Sequence, residues 1–229
     1  MELEKIVYLS AIKVVFMKRL VSVLIAILAL GIILCQASVP KPAIVQAPGD
    51  WTARSQFTVL QQVWVQESEE SRPKLFWYMI LTVINETDRD LEFYPKYDLM
   101  TDTFQVIAAG KDVIPVVFEQ IKNLHKDNYP FLEMLDETSN KILQGQDNAK
   151  DIALVWPDFD PKAKSIKVFI TGLSSEVAGV NDPFEKDQSG SPKKVFLRKT
   201  LELDYDLSGD PQFRSEVQVE LKGKSWIMR

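Results

Sequence analysis

The run Leu75–Ile84 limits the fold more than any other part of the chain, because it is apolar on both of its alternating faces. Leu75, Trp77, Met79, Leu81 and Val83 occupy one face, and Phe76, Tyr78, Ile80 and Ile84 the other. Alternation of side chains along a strand sends successive residues to opposite faces, so a strand apolar on both must be covered on both. The run stops at Asn85-Glu86-Thr87-Asp88-Arg89-Asp90, whose short polar side chains bond nearby backbone and suit a turn. Leu91, Phe93 and Pro95 then alternate with Glu92, Tyr94 and Lys96, and Pro95 marks an edge or a bulge because it has no amide to donate. A further short run, Thr103–Ala108, ends at Ala109-Gly110.

These residues carry a resemblance. An apolar strand ending in Val83-Ile84-Asn85-Glu86-Thr87, a turn, a Phe93-Tyr94-Pro95 strand and then Tyr97-Asp98-Leu99 resembles the immunoglobulin-like β-sandwich domains of exported bacterial proteins of unknown function. Val83, Asn85 and Thr87 match the "V-x-N-x-T" strand end of those domains, and Tyr97, Leu99 and Thr101 stand where their second strand carries Phe, Leu and Asp. The resemblance spans roughly Phe57 to Tyr205 and implies a mainly β immunoglobulin-like sandwich. Its motifs are structural, so it transfers no functional residue.

The N-terminus sets the expected compartment. Leu20–Leu34 is an uninterrupted apolar run with Ser22 its only polar side chain, preceded by Lys13, Lys18 and Arg19. A basic segment, an apolar segment and small residues at Cys35 and Ala37 form the pattern of a secretory signal, with cleavage after Ala37. Extended to residue 39, the run approaches the ~20 residues that span a bilayer, so the alternative is an uncleaved anchor, with membrane contact confined to residues 20–39. Met17 begins a more conventional signal than Met1 does. The charge flanks keep the basic end inside and export the rest to the periplasm or the extracellular space. Residues 1–37 are thus read as signal or anchor, 38–50 as a Pro-rich linker, and 51–229 as one β-sandwich domain with a helical insertion at about 112–143.

Charge and cysteine use exclude several functions. The whole chain has 27 Lys and Arg against 32 Asp and Glu; without residues 1–37 it has 23 against 30, a net charge of −7. Such an acidic domain lacks the basic face that nucleic acid requires. The only cysteine is Cys35, so the exported part has no disulfide and no thiol for catalysis or metal binding.

The insertion begins where the period changes. Val113, Ile114, Val117, Phe118, Ile121 and Leu124 recur at helical spacing, with Asp112 placed to cap and Pro115 in the first turn. A second, weaker helix is expected over Phe131–Leu143, closed by Gly145, the pair covering one face of the sheet. Downstream, Asp151–Trp156 and Ser165–Gly172 read as strands, Ser174–Lys194 as a long loop or hairpin tip, and Val195–Tyr205 as a strand interrupted at Lys199 by a bulge or a bend. Val217–Leu221 and Trp226–Met228 read as the two arms of a closing hairpin that turns at Lys222-Gly223-Lys224.

Few residues point to chemistry. Glu67, Glu69 and Glu70 suggest a calcium site, but a solvated hairpin loop explains them without one. His125 has no second His or exported Cys to share a metal with and is read as a surface residue at a helix C-terminus. Asp158 and Asp160 form a carboxylate pair such as a hydrolase uses, but neighbours on a tight loop seldom face one cleft, and turn stabilisation is the simpler reading. Trp51, Trp64 and Trp226, near chain ends or strand edges, are the candidate ligand-binding residues of a carbohydrate module, whereas Trp77 and Trp156 read as core. No catalytic residue, metal or cofactor is assigned. The expected function is a non-enzymatic interaction domain of the cell envelope, whose partner is an envelope protein or a polysaccharide.

Overall fold

The computed structural model describes residues 39–135, 138–210, 213 and 216–229. The signal or anchor segment therefore lies outside the described residues, as do the two candidate start methionines. Among the described residues no helix is long and apolar enough to cross a membrane. Residues 40–229 form one compact unit, mainly β, with three sheets and one α-helix among the described residues.

The first sheet is organised on β3 (Lys74–Asn85). One edge of β3 is paired by β1 (Arg54–Phe57) and then β2 (Gln61–Val65), and the other by β9 (Gly145–Pro157). The gap between β1 and β2 is filled by Thr58, whose hydroxyl accepts the Ile80 amide at 2.9 Å while its own amide donates to Ile80 O at 3.0 Å. The polar side chain replaces one rung of the ladder between β1 and β2. Beyond β9 lies β7 (Glu133–Met134), parallel to it.

The second sheet runs from β6 (Val106–Ala108) through β5 (Lys96–Thr101) and β10 (Ser165–Thr171) to β12 (Pro192–Ser208). The second half of β12 is paired on its far side by β13 (Gln218–Met228), and its first half by β11 (Val177–Lys186). A third, two-stranded piece joins β4 (Leu91–Glu92) to β8 (Lys141–Ile142).

The two faces of β3 are buried in different cores, as its composition requires. Leu75, Trp77, Met79, Leu81 and Val83 share one cluster with Leu154 and Trp156 of β9 and with Leu99, Val168, Ile170, Leu201 and Leu203 of the second sheet. Phe76, Tyr78 and Ile80 share the other with Val63, Val65 and Val155 and with Val117, Phe118 and Ile121 of α1 (Pro115–His125). Trp77 and Trp156 are fully buried; truncating such a side chain to Ala costs about 3–5 kcal/mol.

The expected strand end is a hydrogen-bond hub. Asn85, fully buried, donates from Nδ2 to Arg89 O at 2.7 Å and Ile142 O at 3.0 Å, and its Oδ1 accepts from Thr87 N at 3.0 Å and Thr87 Oγ1 at 2.7 Å. Thr101 holds the β5–β6 turn by accepting the Gln105 amide at 3.0 Å on its hydroxyl.

Several sequence expectations are corrected. The helix starts with Pro115 at its first turn and Ile114 as N-cap, with no side-chain cap; Asp112 sits at φ +58, outside helical geometry. The expected second helix at 131–143 is absent among the described residues, which carry β7 and β8 instead. Among the described residues α1 is the one α-helix of the insertion. β12 is one unbroken strand through Lys199, where its pairing passes from β11 to β10 and β13. Lys222-Gly223-Lys224 does not turn: β13 is one continuous strand, and because Asp204 faces Gly223 while Tyr205 faces Leu221, Lys222 is the extra residue of a β-bulge. Pro95 lies in the link between β4 and β5, clear of any ladder.

Candidate functional site

The candidate site is the hairpin of β11 and the first half of β12, together with its root. Val177 faces Arg198, Gly179 faces Phe196 and Asn181 faces Lys194, so residues 177–198 form a two-stranded arm. The polar composition of Ser174–Lys194 predicts a loop or hairpin tip; the pairing shows only in the register. Its turn is built by Asp187, whose Oδ1 accepts from Ser189 N at 2.9 Å, Ser189 Oγ at 2.6 Å and Ser191 N at 3.0 Å. Asp182 likewise receives the amides of Phe184 at 2.8 Å and Glu185 at 3.0 Å, which kinks β11 where its register with β12 shifts. These amide and hydroxyl bonds hold both carboxyls below the usual Asp range.

The arm exposes apolar and cationic groups together. Phe184 is 93% exposed and Phe196 67%, and Phe196 lies across Gly179. Lys193 is paired with Glu185 at 2.7 Å, while Lys186, Lys194 and Arg198 carry no ion pair among the described residues.

The root of the arm holds a buried ion pair. Glu176 Oε2 lies 2.9 Å from Lys199 Nζ, with side chains only 11% and 9% exposed, and Lys199 Nζ stands 5.4 Å above the Trp226 ring. Glu176 Oε1 also accepts the Ala43 amide at 2.6 Å, the largest reason its carboxyl titrates below the usual Glu range; the Lys199 ammonium adds to the effect. Nearby, Ser174 Oγ donates to Trp51 O at 2.9 Å, Trp51 N donates to Ser175 Oγ at 2.8 Å, and Thr52 bridges to Ser174. The Pro-rich linker is therefore fastened to residues 174–176 near its middle, at Ala43, and where it meets the domain, at Asp50 and Trp51.

The sequence candidates fall as follows. Trp51 and Trp226 are half-buried against the core between the sheets, at or near the arm root. Trp64, 45% exposed, lies on β2 in the first sheet, where its carbonyl accepts from Gln120 Nε2 at 3.1 Å. Trp51 and Trp226 thus lie near the arm root, and Trp64 on the other sheet. Asp158 Oδ1 accepts the Trp77 indole N–H at 2.8 Å, and Asp160 Oδ1 accepts the Lys162 amide at 3.0 Å, a turn contact. His125 is at the helix C-terminus as expected, but it is half-buried, with Nε2 3.0 Å from Tyr78 Oη and its ring edge-on to Tyr129. Glu67, Glu69 and Glu70 are exposed in a turn closed by Ser68 and Ser71, and no group of metal-ligating side chains occurs among the described residues. A cleft of about 120 Å³ beside α1 is lined by Val113, Ile114, Phe118, Met134 and Val155, all apolar.

No protein-family model, no curated protein and no solved structure matches this chain.

Proposed function

We propose that the protein is a non-enzymatic interaction domain of the cell envelope, exported or membrane-tethered, built as an immunoglobulin-like β-sandwich and binding through its β11–β12 arm. The observation that carries this reading is the arm: a paired hairpin that presents Phe184 and Phe196 to solvent beside Lys186, Lys194 and Arg198, which carry no ion pair among the described residues. Exposed aromatic side chains with an arginine beside them suit a contact surface. Two sheets sharing one core support the sandwich, and the Asn85–Thr87 hub gives the resemblance at that strand end a physical role. The basic and apolar N-terminal pattern supports export.

A carbohydrate-binding module is the second reading, favoured by the exposure of Trp64. A carboxylate hydrolase has less support, since Asp158 is engaged by Trp77.

The test is site-specific photocrosslinking of the full chain in intact cells, with a photoreactive residue at Phe184 or Phe196 and a control at Val59 on the opposite sheet. Adducts specific to the arm positions are expected. Equal labelling at Val59, or retention on a polysaccharide that Trp64→Ala abolishes while Phe184→Ser does not, refutes the arm as the contact surface.

A further inference from the structure

We infer that the arm seats on an anionic lipid surface, the membrane from which the chain's own linker departs; this rests on the tethered form of the proposed function. The chain enters the domain at the arm root, because Ala43 is bonded to Glu176 and Trp51 to Ser174 and Ser175. From Leu34, the last residue of the apolar run, to Ala43 the chain can span at most about 30 Å when fully extended. The arm, from Val177 to Lys186 with its turn beyond, is itself about 30–35 Å long at the rise of a β-strand. Tether and arm thus start from one point, so an apolar run held in a bilayer keeps the arm root within about 30 Å of its surface, a distance comparable to the length of the arm.

The chemistry of the arm fits that surface. Phe184 and Phe196 supply apolar rings for the boundary between headgroups and acyl chains, and Lys186, Lys194 and Arg198 supply cations for lipid phosphates. Asp182 and Asp187 stay ionised on the chain's own amides and Glu185 is paired with Lys193, so residues 177–198 carry four cations against three anions, a net charge of +1 in a domain that is otherwise acidic. Pro183 and Pro192 leave gaps in both open edges, which disfavours strand addition to another protein.

The test is peptide-resolved hydrogen exchange of the full chain reconstituted in vesicles of phosphatidylcholine alone or with phosphatidylglycerol. Exchange in residues 184–198 should slow about tenfold only in the mixed vesicles, with the effect abolished by Lys186→Glu with Lys194→Glu. Phe184→Ser with Phe196→Ser should weaken it; both rings are exposed, so the domain stays folded. The free edge of β13 is the internal reference. A chain that co-floats with neutral vesicles but shows no lipid-dependent protection of the arm overturns this inference and leaves the tethered reading intact. A chain that does not co-float overturns both. Protection that appears only on adding an envelope protein or glycan assigns the arm to that partner and overturns the lipid surface.

Discussion

Replacing Asn85 with Ala removes the side chain that ties the end of β3 to two other parts of the chain. Four hydrogen bonds are lost: two donated to Arg89 O and Ile142 O, and two accepted from Thr87. The Thr87 groups and Arg89 O can reach water, since those residues are not buried, so each contributes about 0.5–1 kcal/mol at most. Ile142 is fully buried in the β4–β8 ladder, and removing the Asn85 amide from its carbonyl there costs about 1–3 kcal/mol. The sum is about 2.5–6 kcal/mol, a large share of the stability of a domain this size. Urea unfolding followed by tryptophan fluorescence should show a lower midpoint at unchanged slope. Thr87→Val, which keeps the bonds to Arg89 and Ile142, should cost about 1 kcal/mol. A loss below 1 kcal/mol for Asn85→Ala would show that the hub does not hold the strand end.

Three further outcomes follow from the geometry. Gly172 has φ +94, and a Cβ there would lie 2.8 Å from Pro95 Cα and 2.9 Å from Tyr94 O, so Gly172→Ala should lose at least about 2 kcal/mol; a neutral result in thermal unfolding would refute the close approach. Glu176→Gln and Lys199→Met should each cost about 3–5 kcal/mol, and the double change less than their sum. Because the folded Glu176 titrates below its ordinary value of 4.5, its stabilisation is complete above that pH and fades as pH falls through the lowered value; Glu176→Gln should flatten that part of the stability profile, and an unchanged slope would assign it elsewhere. Tyr205 buries its hydroxyl without a partner among the described residues, and burial pushes its pKa up, so Tyr205→Phe should be neutral or stabilising by about 1 kcal/mol; a clear loss in urea unfolding would show that the hydroxyl is bonded.

The legible parts of this fold are those where one residue pattern has one physical solution. The two-sided run of β3 demanded two covers, and α1 and the second sheet supply them. Asn85 and Thr87 marked a strand end because their side chains compete for backbone groups. Residues 131–143 misled for a physical reason: Leu132 packs in the helix-side core and Ile142 in the core between the sheets, so apolar residues serving two different layers imitated one helical face. At Lys222-Gly223-Lys224 a single extra residue breaks a period of two much as a turn would, and only the pairing with β12 separates the cases. The arm and its root were hidden because Glu176 and Lys199 meet across the β11–β12 pairing. Neither residue sits in a motif, and a buried pair of this kind has no signature in composition.

β12 belongs to the arm by its first half and to the body by its second, without interruption from Pro192 to Ser208. Its body half is clamped on both sides, by Ser165–Thr171 of β10 and by Gln218–Met228 of β13. Tension applied along the arm therefore loads these two ladders lengthwise, and their hydrogen bonds must give way together rather than one after another. A hairpin joined to the body by a loop would unzip from its base. Joined through a central strand, it is a handle by which the whole domain can be pulled before it unravels.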